Sequence, residues 1–127
     1  MEAVISVVDD DESVRESTGI LLRSAGYRVA TFESAELFLA STARLETACL
    51  VLDIRMPVMD GLELQRRLSI SDTDLPIIFV TAHDEKIVRQ RALNGGTVNF
   101  FAKPFSAVDF LAAIETALAM RPEHAKR

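Results

Sequence analysis

The sequence has few features that would attach it to a membrane or crosslink it. It contains no tryptophan and one cysteine in 127 residues, so no disulfide can form within the chain. No apolar run approaches the roughly 20 residues that span a bilayer, and the N-terminus has no signal-peptide pattern. Cys49 lies inside an apolar run, which indicates a buried, unreactive thiol in a reducing compartment. These absences predict a cytoplasmic protein that does not bind a membrane.

Positive charge is also scarce. The chain has 14 Lys and Arg against 19 Asp and Glu, which gives a net charge of −5. Binding to nucleic acid requires a basic surface, so this segment is not expected to bind DNA by itself. Its length and its hydrophobic fraction of 49% fit one domain with its own core. We predict that this domain covers residues 1–120, and that 121–127 form a tail or begin a linker.

Five short apolar runs alternate with longer segments of helical period. Several runs are almost continuously apolar, which is typical of strands covered on both faces. The alternation predicts right-handed crossovers and a parallel sheet with helices on both faces. The simplest such α/β fold is flavodoxin-like and doubly wound, with strand order 2-1-3-4-5. The predicted strands are 3–8, 28–31 (at an edge of the sheet), 48–52, 77–80 and 98–101.

Capping residues and glycines mark the predicted helices between these strands. The first helix presents an apolar stripe from Val14 to Ala25, and Gly26 is placed to end it. Ser and Asp residues can accept hydrogen bonds from the free N–H groups of a helix start. The other predicted helices run from a cap at Ser34 to Leu39, over 61–68, from a cap at Asp84 to Asn94, and from a cap at Ser106, where Asp109 resembles part of a capping box.

Polar side chains that suit chemistry follow four of the five predicted strands. In a doubly wound sheet, ligands bind at the carboxyl ends of the strands, where strands one and three lie side by side. Asp9, Asp10 and Asp53 follow those two strands, and Thr81 and Lys103 follow the fourth and fifth. Carboxylates about 4 Å apart repel by about 1 to 4 kcal/mol per pair, so at least one should have a raised pKa without metal. Such a cluster suits Mg²⁺ with bound water better than a Ca²⁺ cage.

The residues at these strand ends form recognisable motifs. They are Val-Asp-Asp-Asp at 8–11, Leu-Asp-Ile-Arg-Met-Pro at 52–57, Asp-Gly at 60–61, Val-Thr-Ala at 80–82 and Lys-Pro-Phe at 103–105. In this order and roughly this spacing, the motifs resemble the receiver domain of bacterial two-component response regulators. The resemblance covers almost the whole chain. The chain is similar in its general look to receivers of regulators with a C-terminal helix-turn-helix output domain.

The resemblance implies a phosphorylation site with a bound metal ion. Asp53 would accept a phosphoryl group from a sensor histidine kinase or a phosphotransfer protein. Mg²⁺, for which Mn²⁺ could substitute, would be held by Asp9, Asp10, Asp53 and the backbone carbonyl of Arg55. The domain would then be no enzyme in the ordinary sense, because it would catalyse only its own phosphorylation and slow dephosphorylation.

The resemblance also implies how the signal would be transmitted. Lys103 and Thr81 would contact phosphoryl oxygens, and the Lys103–Pro104 peptide bond would be cis. The ring of Phe100 would move inward with Thr81, although adjacent Phe101 competes for this role. The fourth helix, fifth strand and fifth helix would then shift and so control an output domain or a partner, and a homodimer could form through the same face. DNA would be contacted only through an output domain.

Several alternatives remain open. Asp11 is either the acid at the start of the first helix, which we favour, or a further metal ligand. His83 either tunes the lifetime of the phosphoryl group or is a plain loop residue. The main alternative function is a pseudo-receiver, an interaction module that is not phosphorylated productively. A hydrolase with an aspartyl-phosphate intermediate ranks lower, because Asp53 is followed by Ile-Arg and not by a second acid two residues on. A nucleotide-binding domain is disfavoured, because Asp9, Asp10 and Asp11 replace a Gly-rich loop.

Overall fold

A single parallel sheet forms the centre of the molecule. The computed structural model describes residues 4–71, 74–82, 85–96 and 99–120. The strands lie in the order β2-β1-β3-β4-β5, and all of the pairs are parallel. This order confirms the predicted flavodoxin-like doubly wound fold. The strands are β1 (Val4–Val8), β2 (Arg28–Phe32), β3 (Thr47–Leu52), β4 (Ile77–Thr81) and β5 (Asn99–Ala102).

Helices cover both faces of this sheet. Two of them bury apolar side chains in a core cluster on one face, and the other three do so on the opposite face. The first pair is α1 (Glu12–Ser24) and α5 (Ala107–Ala119), and the second group is α2 (Ala35–Ala40), α3 (Gly61–Ser71) and α4 (Lys86–Asn94). A 3-10 turn at Thr42–Leu45, which the sequence did not predict, leads into β3.

Most of the predicted helix starts are confirmed by capping hydrogen bonds. The hydroxyl of Ser34 accepts from the N–H of Leu37 at 3.1 Å, and that of Ser106 accepts from the N–H of Asp109 at 3.2 Å. The predicted cap of the fourth helix, Asp84, lies outside the described residues. Glu85 holds the N-cap position of α4 and makes no capping bond with its side chain, so the cap lies one residue later than predicted.

Two further details differ from the predicted elements. Ala25 was expected on the buried stripe of the first helix, but it is exposed at the C-cap of α1, because the helix ends one residue earlier. Of the predicted strand residues, Ala3 and Val98 lie outside the described residues. The edge position predicted for the second strand is confirmed, since β2 pairs with β1 at the end of the sheet order.

The core is apolar and includes the lone thiol. All described residues of β1, β3 and β4 are buried. Cys49 in β3 is fully buried, and burial raises the pKa of its thiol to about 12. The thiol therefore stays protonated at neutral pH, in agreement with the predicted unreactive cysteine. Among the described residues, no helix combines the length and apolar character needed to cross a membrane.

Candidate functional site

Three carboxylates meet where β1 and β3 end. These strands are neighbours in register, with Val8 opposite Leu52, so the residues that follow them emerge side by side. One oxygen each from Asp9, Asp10 and Asp53 can be chosen so that all three lie within 4.8 Å of one another. Asp9 is 3% and Asp53 is 7% exposed, whereas Asp10 is exposed. The predicted convergence of the three acids is therefore present in the structure.

Lys103 lies against this cluster from the end of β5. Its ammonium group is 3.0 Å from Oδ2 of Asp9 and 3.9 Å from Oδ2 of Asp53. The backbone N–H of Lys103 donates to the carbonyl of Thr81 at 2.8 Å, which fixes the lysine beside the end of β4. The Lys103–Pro104 peptide bond is cis.

The pKa of Asp53 is raised to about 6. Burial is the largest cause, because it disfavours the charged form. The negative charge of Asp9 also raises this pKa, while Lys103 and the N–H of Ile54 lower it and Asp10 raises it slightly. One lysine therefore does not fully neutralise the site. Two or three oxygen ligands with access to solvent are what Mg²⁺ takes from proteins, so the carboxylates present fit a dication.

Asp11 does not belong to this cluster. Its Oδ1 accepts from the N–H of Ser13 at 2.9 Å and from the N–H of Val14 at 3.3 Å. It therefore acts as the N-cap of α1, as the favoured interpretation predicted. The N–H of Asp11 donates to Oδ1 of Asp9 at 2.9 Å, so the start of α1 also supports the acidic cluster.

The loop between β3 and α3 packs tightly against Asp53. The N–H of Gly61 donates to the carbonyl of Ile54 at 2.7 Å, and a Cβ at position 61 would lie 2.2 Å from the carbonyl oxygen of Asp53. The N–H of Met59 donates to the carbonyl of Pro57 at 2.9 Å, which closes a γ-turn at Val58. Val58 is 97% exposed and has φ of 70°, a strained backbone for a β-branched residue. At position 61, only glycine, which has no Cβ, allows the backbone to lie this close to the carbonyl oxygen of Asp53.

Arg55 connects the same loop to the beginning of α4. Its guanidinium forms an ion pair with Glu85, and both side chains are about half exposed. Pairs of this kind typically stabilise a protein by less than about 1 kcal/mol. The sequence did not predict this contact. The role of the Arg55 backbone carbonyl as a metal ligand stays a prediction.

Thr81 and Phe100 are buried residues of the neighbouring strands β4 and β5. Thr81 is fully buried at the end of β4. Phe100 is buried on the face covered by α2, α3 and α4, 6.1 Å from the ring of Phe79, with the Arg89 guanidinium 4.7 Å above it. Phe101 points to the opposite face, among the aromatic rings beneath α5. Phe100 is therefore the aromatic residue that packs toward α4.

Arg15 is a site residue that the sequence analysis missed. It lies in the first turn of α1, and its Nη1 donates to the carbonyl of Asp9 at 2.8 Å. The available signal was its position, because a cation at the start of a helix opposes the helix dipole. His83 lies outside the described residues, so its two interpretations stay open.

Comparison with known proteins agrees with this geometry. The family model of the response regulator receiver domain matches residues 5–115. The response regulator protein TmoT of Ectopseudomonas mendocina is 44% identical over 122 residues, which are 96% of this chain and 56% of TmoT. The transcriptional regulatory protein FixJ of Bradyrhizobium diazoefficiens is 38% identical, over 96% of this chain and 60% of FixJ.

A solved structure gives the same result. The structure of the response regulator StyR superposes with a TM-score of 0.87 at 45% identity, and the match covers 98% of this chain and 63% of that chain. The chain spans little more than half the length of the curated relatives that it matches. The family model covers most of the chain, and the acidic cluster lies where the receiver motifs occur. The chain therefore belongs to the response regulator receiver domains of two-component signalling.

Proposed function

We propose that this domain is a phosphorylation switch whose acceptor is Asp53. The observation that supports this most strongly is the convergence of Asp9, Asp10 and Asp53 within 4.8 Å, with Lys103 beside them. A buried carboxylate among other acids is unfavourable unless a cation or a reaction uses it. The donor is a phosphohistidine on a sensor histidine kinase or a phosphotransfer protein.

Asp9, Asp10 and Asp53, together with the backbone carbonyl of Arg55, would hold Mg²⁺, and Mn²⁺ could take its place. The ion supplies positive charge that offsets the negative charge of the transferred group. Asp9 already pairs with Lys103 at 3.0 Å, so a dication would compete with the lysine for this carboxylate. Displaced from Asp9, Lys103 is available to Asp53 and to a phosphoryl oxygen.

The protein's own residues position the reacting carboxylate. Oδ1 of Asp53 accepts from the N–H of Ile54 at 2.7 Å, which fixes the plane of the carboxyl group. A carboxylate oxygen of Asp53 attacks phosphorus, the P–N bond of the phosphohistidine breaks, and the electron pair leaves with the imidazole. Lys103 and the hydroxyl of Thr81 then stabilise the phosphoryl oxygens.

The output is a shift in the population of states of the α4–β5–α5 surface. Phe100 joins β5 to α4 through its contact with Arg89. When Thr81 is drawn toward a phosphoryl group, the Phe100 ring would move inward and alter this contact. This surface would mediate a homodimer or contact an output domain, and DNA would be bound only through such a domain. The matched 122 residues make up 56% of TmoT and 60% of FixJ, so both relatives are more than one and a half times as long as this chain. We place the receiver at residues 1–120 and a linker or tail at 121–127.

Incubation with acetyl phosphate and Mg²⁺ tests the proposal. Intact-mass spectrometry should show the gain of one phosphoryl group in the wild type and none in Asp53→Ala or in the presence of EDTA. Asp60→Asn is the matched control. The carboxylate of Asp60 caps α3 by accepting from the N–H of Glu63, and asparagine caps a helix equally well. Unchanged labelling of Asp53→Ala would refute the acceptor. A wild type that is never labelled would favour the pseudo-receiver.

A further inference from the structure

Arg15 contacts the backbone of the acidic cluster and not its carboxylates. Its Nη1 donates to the carbonyl oxygen of Asp9 at 2.8 Å. Three aspartates precede Arg15 within six residues, yet none of the ion pairs described for this part of the chain involves it. A cation in the first turn of a helix is unfavourable by itself. The position of Arg15 therefore points to a role other than stabilising α1.

The carbonyl that Arg15 contacts belongs to the peptide unit between Asp9 and Asp10. On the other side of Asp9, its N–H donates to the carbonyl of Phe32 at 3.1 Å. The side chain of Asp9 is fixed as well, by the N–H of Asp11 and by Lys103. Asp10 is exposed, so the direction of its side chain depends mainly on the peptide unit that precedes it. Arg15 is the side chain that fixes this unit.

We propose that Arg15 is a positioning residue for the metal site, acting by orienting the peptide unit that carries Asp9 and Asp10. This inference rests on the proposed function, since it assumes that these carboxylates bind Mg²⁺. Through its charge alone, a guanidinium near three carboxylates would weaken the binding of a dication. Through its hydrogen bond, it strengthens binding by holding two ligands in place. The two effects have opposite signs, so a measurement can separate them.

Isothermal titration calorimetry of the full chain with MgCl₂ at pH 7 provides the test. Residues that orient metal ligands typically contribute ten- to a hundredfold in affinity. The ligands here are only partly enclosed, so we expect Arg15→Met to weaken Mg²⁺ binding by about tenfold. Arg15→Lys should recover most of the loss, because an ammonium group can also donate to the Asp9 carbonyl. Amide hydrogen exchange of Asp10 should be faster in Arg15→Met than in the wild type.

Arg23→Met is the matched control, because Arg23 is exposed in the last turn of the same helix. It loses the same charge and should bind Mg²⁺ as the wild type does. Unchanged or tighter binding by Arg15→Met would overturn the proposal, and so would Arg15→Lys binding as weakly as Arg15→Met. Thermal unfolding in EDTA confirms that each variant is folded. If Arg15→Met does not fold, Arg15→Leu removes the same charge and the same hydrogen-bond donor, and the same two outcomes apply.

The outcomes also separate this inference from the proposed function. A wild type that binds no Mg²⁺ and is not labelled by acetyl phosphate would refute both. A wild type that binds Mg²⁺ and is labelled, beside an Arg15→Met variant that binds Mg²⁺ equally well, would refute only the role of Arg15.

Discussion

Replacing Asp53 with asparagine is expected to stabilise the metal-free protein by about 3 kcal/mol at pH 7. The pKa of Asp53 is raised from 3.8 to about 6, first by burial and next by the charge of Asp9. Each unit of difference between the folded and unfolded pKa corresponds to about 1.4 kcal/mol. Asparagine has nearly the same shape without the charge, so it avoids this cost. Urea unfolding in EDTA measures the difference in the free energy of unfolding.

The pH dependence of this difference has a definite direction. Because the folded pKa of Asp53 lies above the unfolded value, the wild type loses stability as pH rises from about 4 through about 6. Asp53→Asn has no such loss, so the two proteins should converge in stability near pH 4. Glu16→Gln removes one exposed carboxylate of α1 and controls for net charge. The raised pKa would be contradicted if Asp53→Asn and the wild type had the same free energy of unfolding at pH 7. It would also be contradicted if their difference did not become smaller on acidification.

Added Mg²⁺ should reduce the difference in the free energy of unfolding between Asp53→Asn and the wild type at pH 7. A dication that binds the folded state stabilises the wild type in proportion to the logarithm of its concentration above the dissociation constant. Asp53→Asn lacks one of the proposed ligands and should gain less. Repeating the unfolding curves at increasing MgCl₂ measures this effect. An equal gain in both proteins would place the bound ion away from Asp53.

Replacing Gly61 with alanine should be strongly destabilising and should impair phosphorylation. The added Cβ would lie 2.2 Å from the carbonyl oxygen of Asp53 and 3.0 Å from Cα of Ile54. Both neighbours are backbone atoms, so no side-chain rotation relieves the overlap. We expect a loss of about 3 kcal/mol, at the upper end for overpacking. Urea unfolding and acetyl phosphate labelling of the same preparation measure both effects.

Gly19→Ala is the matched control for this prediction. Gly19 is buried in α1, but the nearest atom to its added Cβ is the flexible guanidinium of Arg23 at 3.3 Å. Alanine in a helix interior is more favourable than glycine by roughly 0.5–1 kcal/mol, so this variant should be neutral or slightly more stable. Should Gly61→Ala prove as stable as Gly19→Ala, the close packing of the loop on Asp53 would be refuted.

The order of the sheet and the meeting of the acids could be predicted from the sequence. Strands such as Ile77–Thr81 are nearly continuous apolar runs, because helices cover both of their faces. Once a parallel sheet is inferred, topology alone brings the residues after β1 and β3 together. The grouping of Asp9, Asp10 and Asp53 therefore follows from the topology of the sheet, without knowledge of the side-chain geometry. Lys103 could be placed at the same edge for the same reason.

The contacts made by long side chains and by the loop could not be predicted. Arg15 and Arg55 each have several possible partners within reach, and their choice of the Asp9 carbonyl and of Glu85 depends on rotamers that no sequence pattern determines. The positive φ of Val58 is equally hidden, since β-branched residues rarely adopt it. The choice between Phe100 and Phe101 also needed coordinates. Alternation places them on opposite faces, but it does not say which face carries α4.

These two aromatic residues, adjacent in the chain, belong to different halves of the molecule. Phe100 packs with Phe79 and Arg89, whereas Phe101 packs with Phe105 and Phe110 beneath α5. If the Phe100 ring rotates as proposed, it would therefore act directly on α4 and would reach α5 only through β5. A binding protein that contacts both helices would then respond to a displacement of α4 relative to α5.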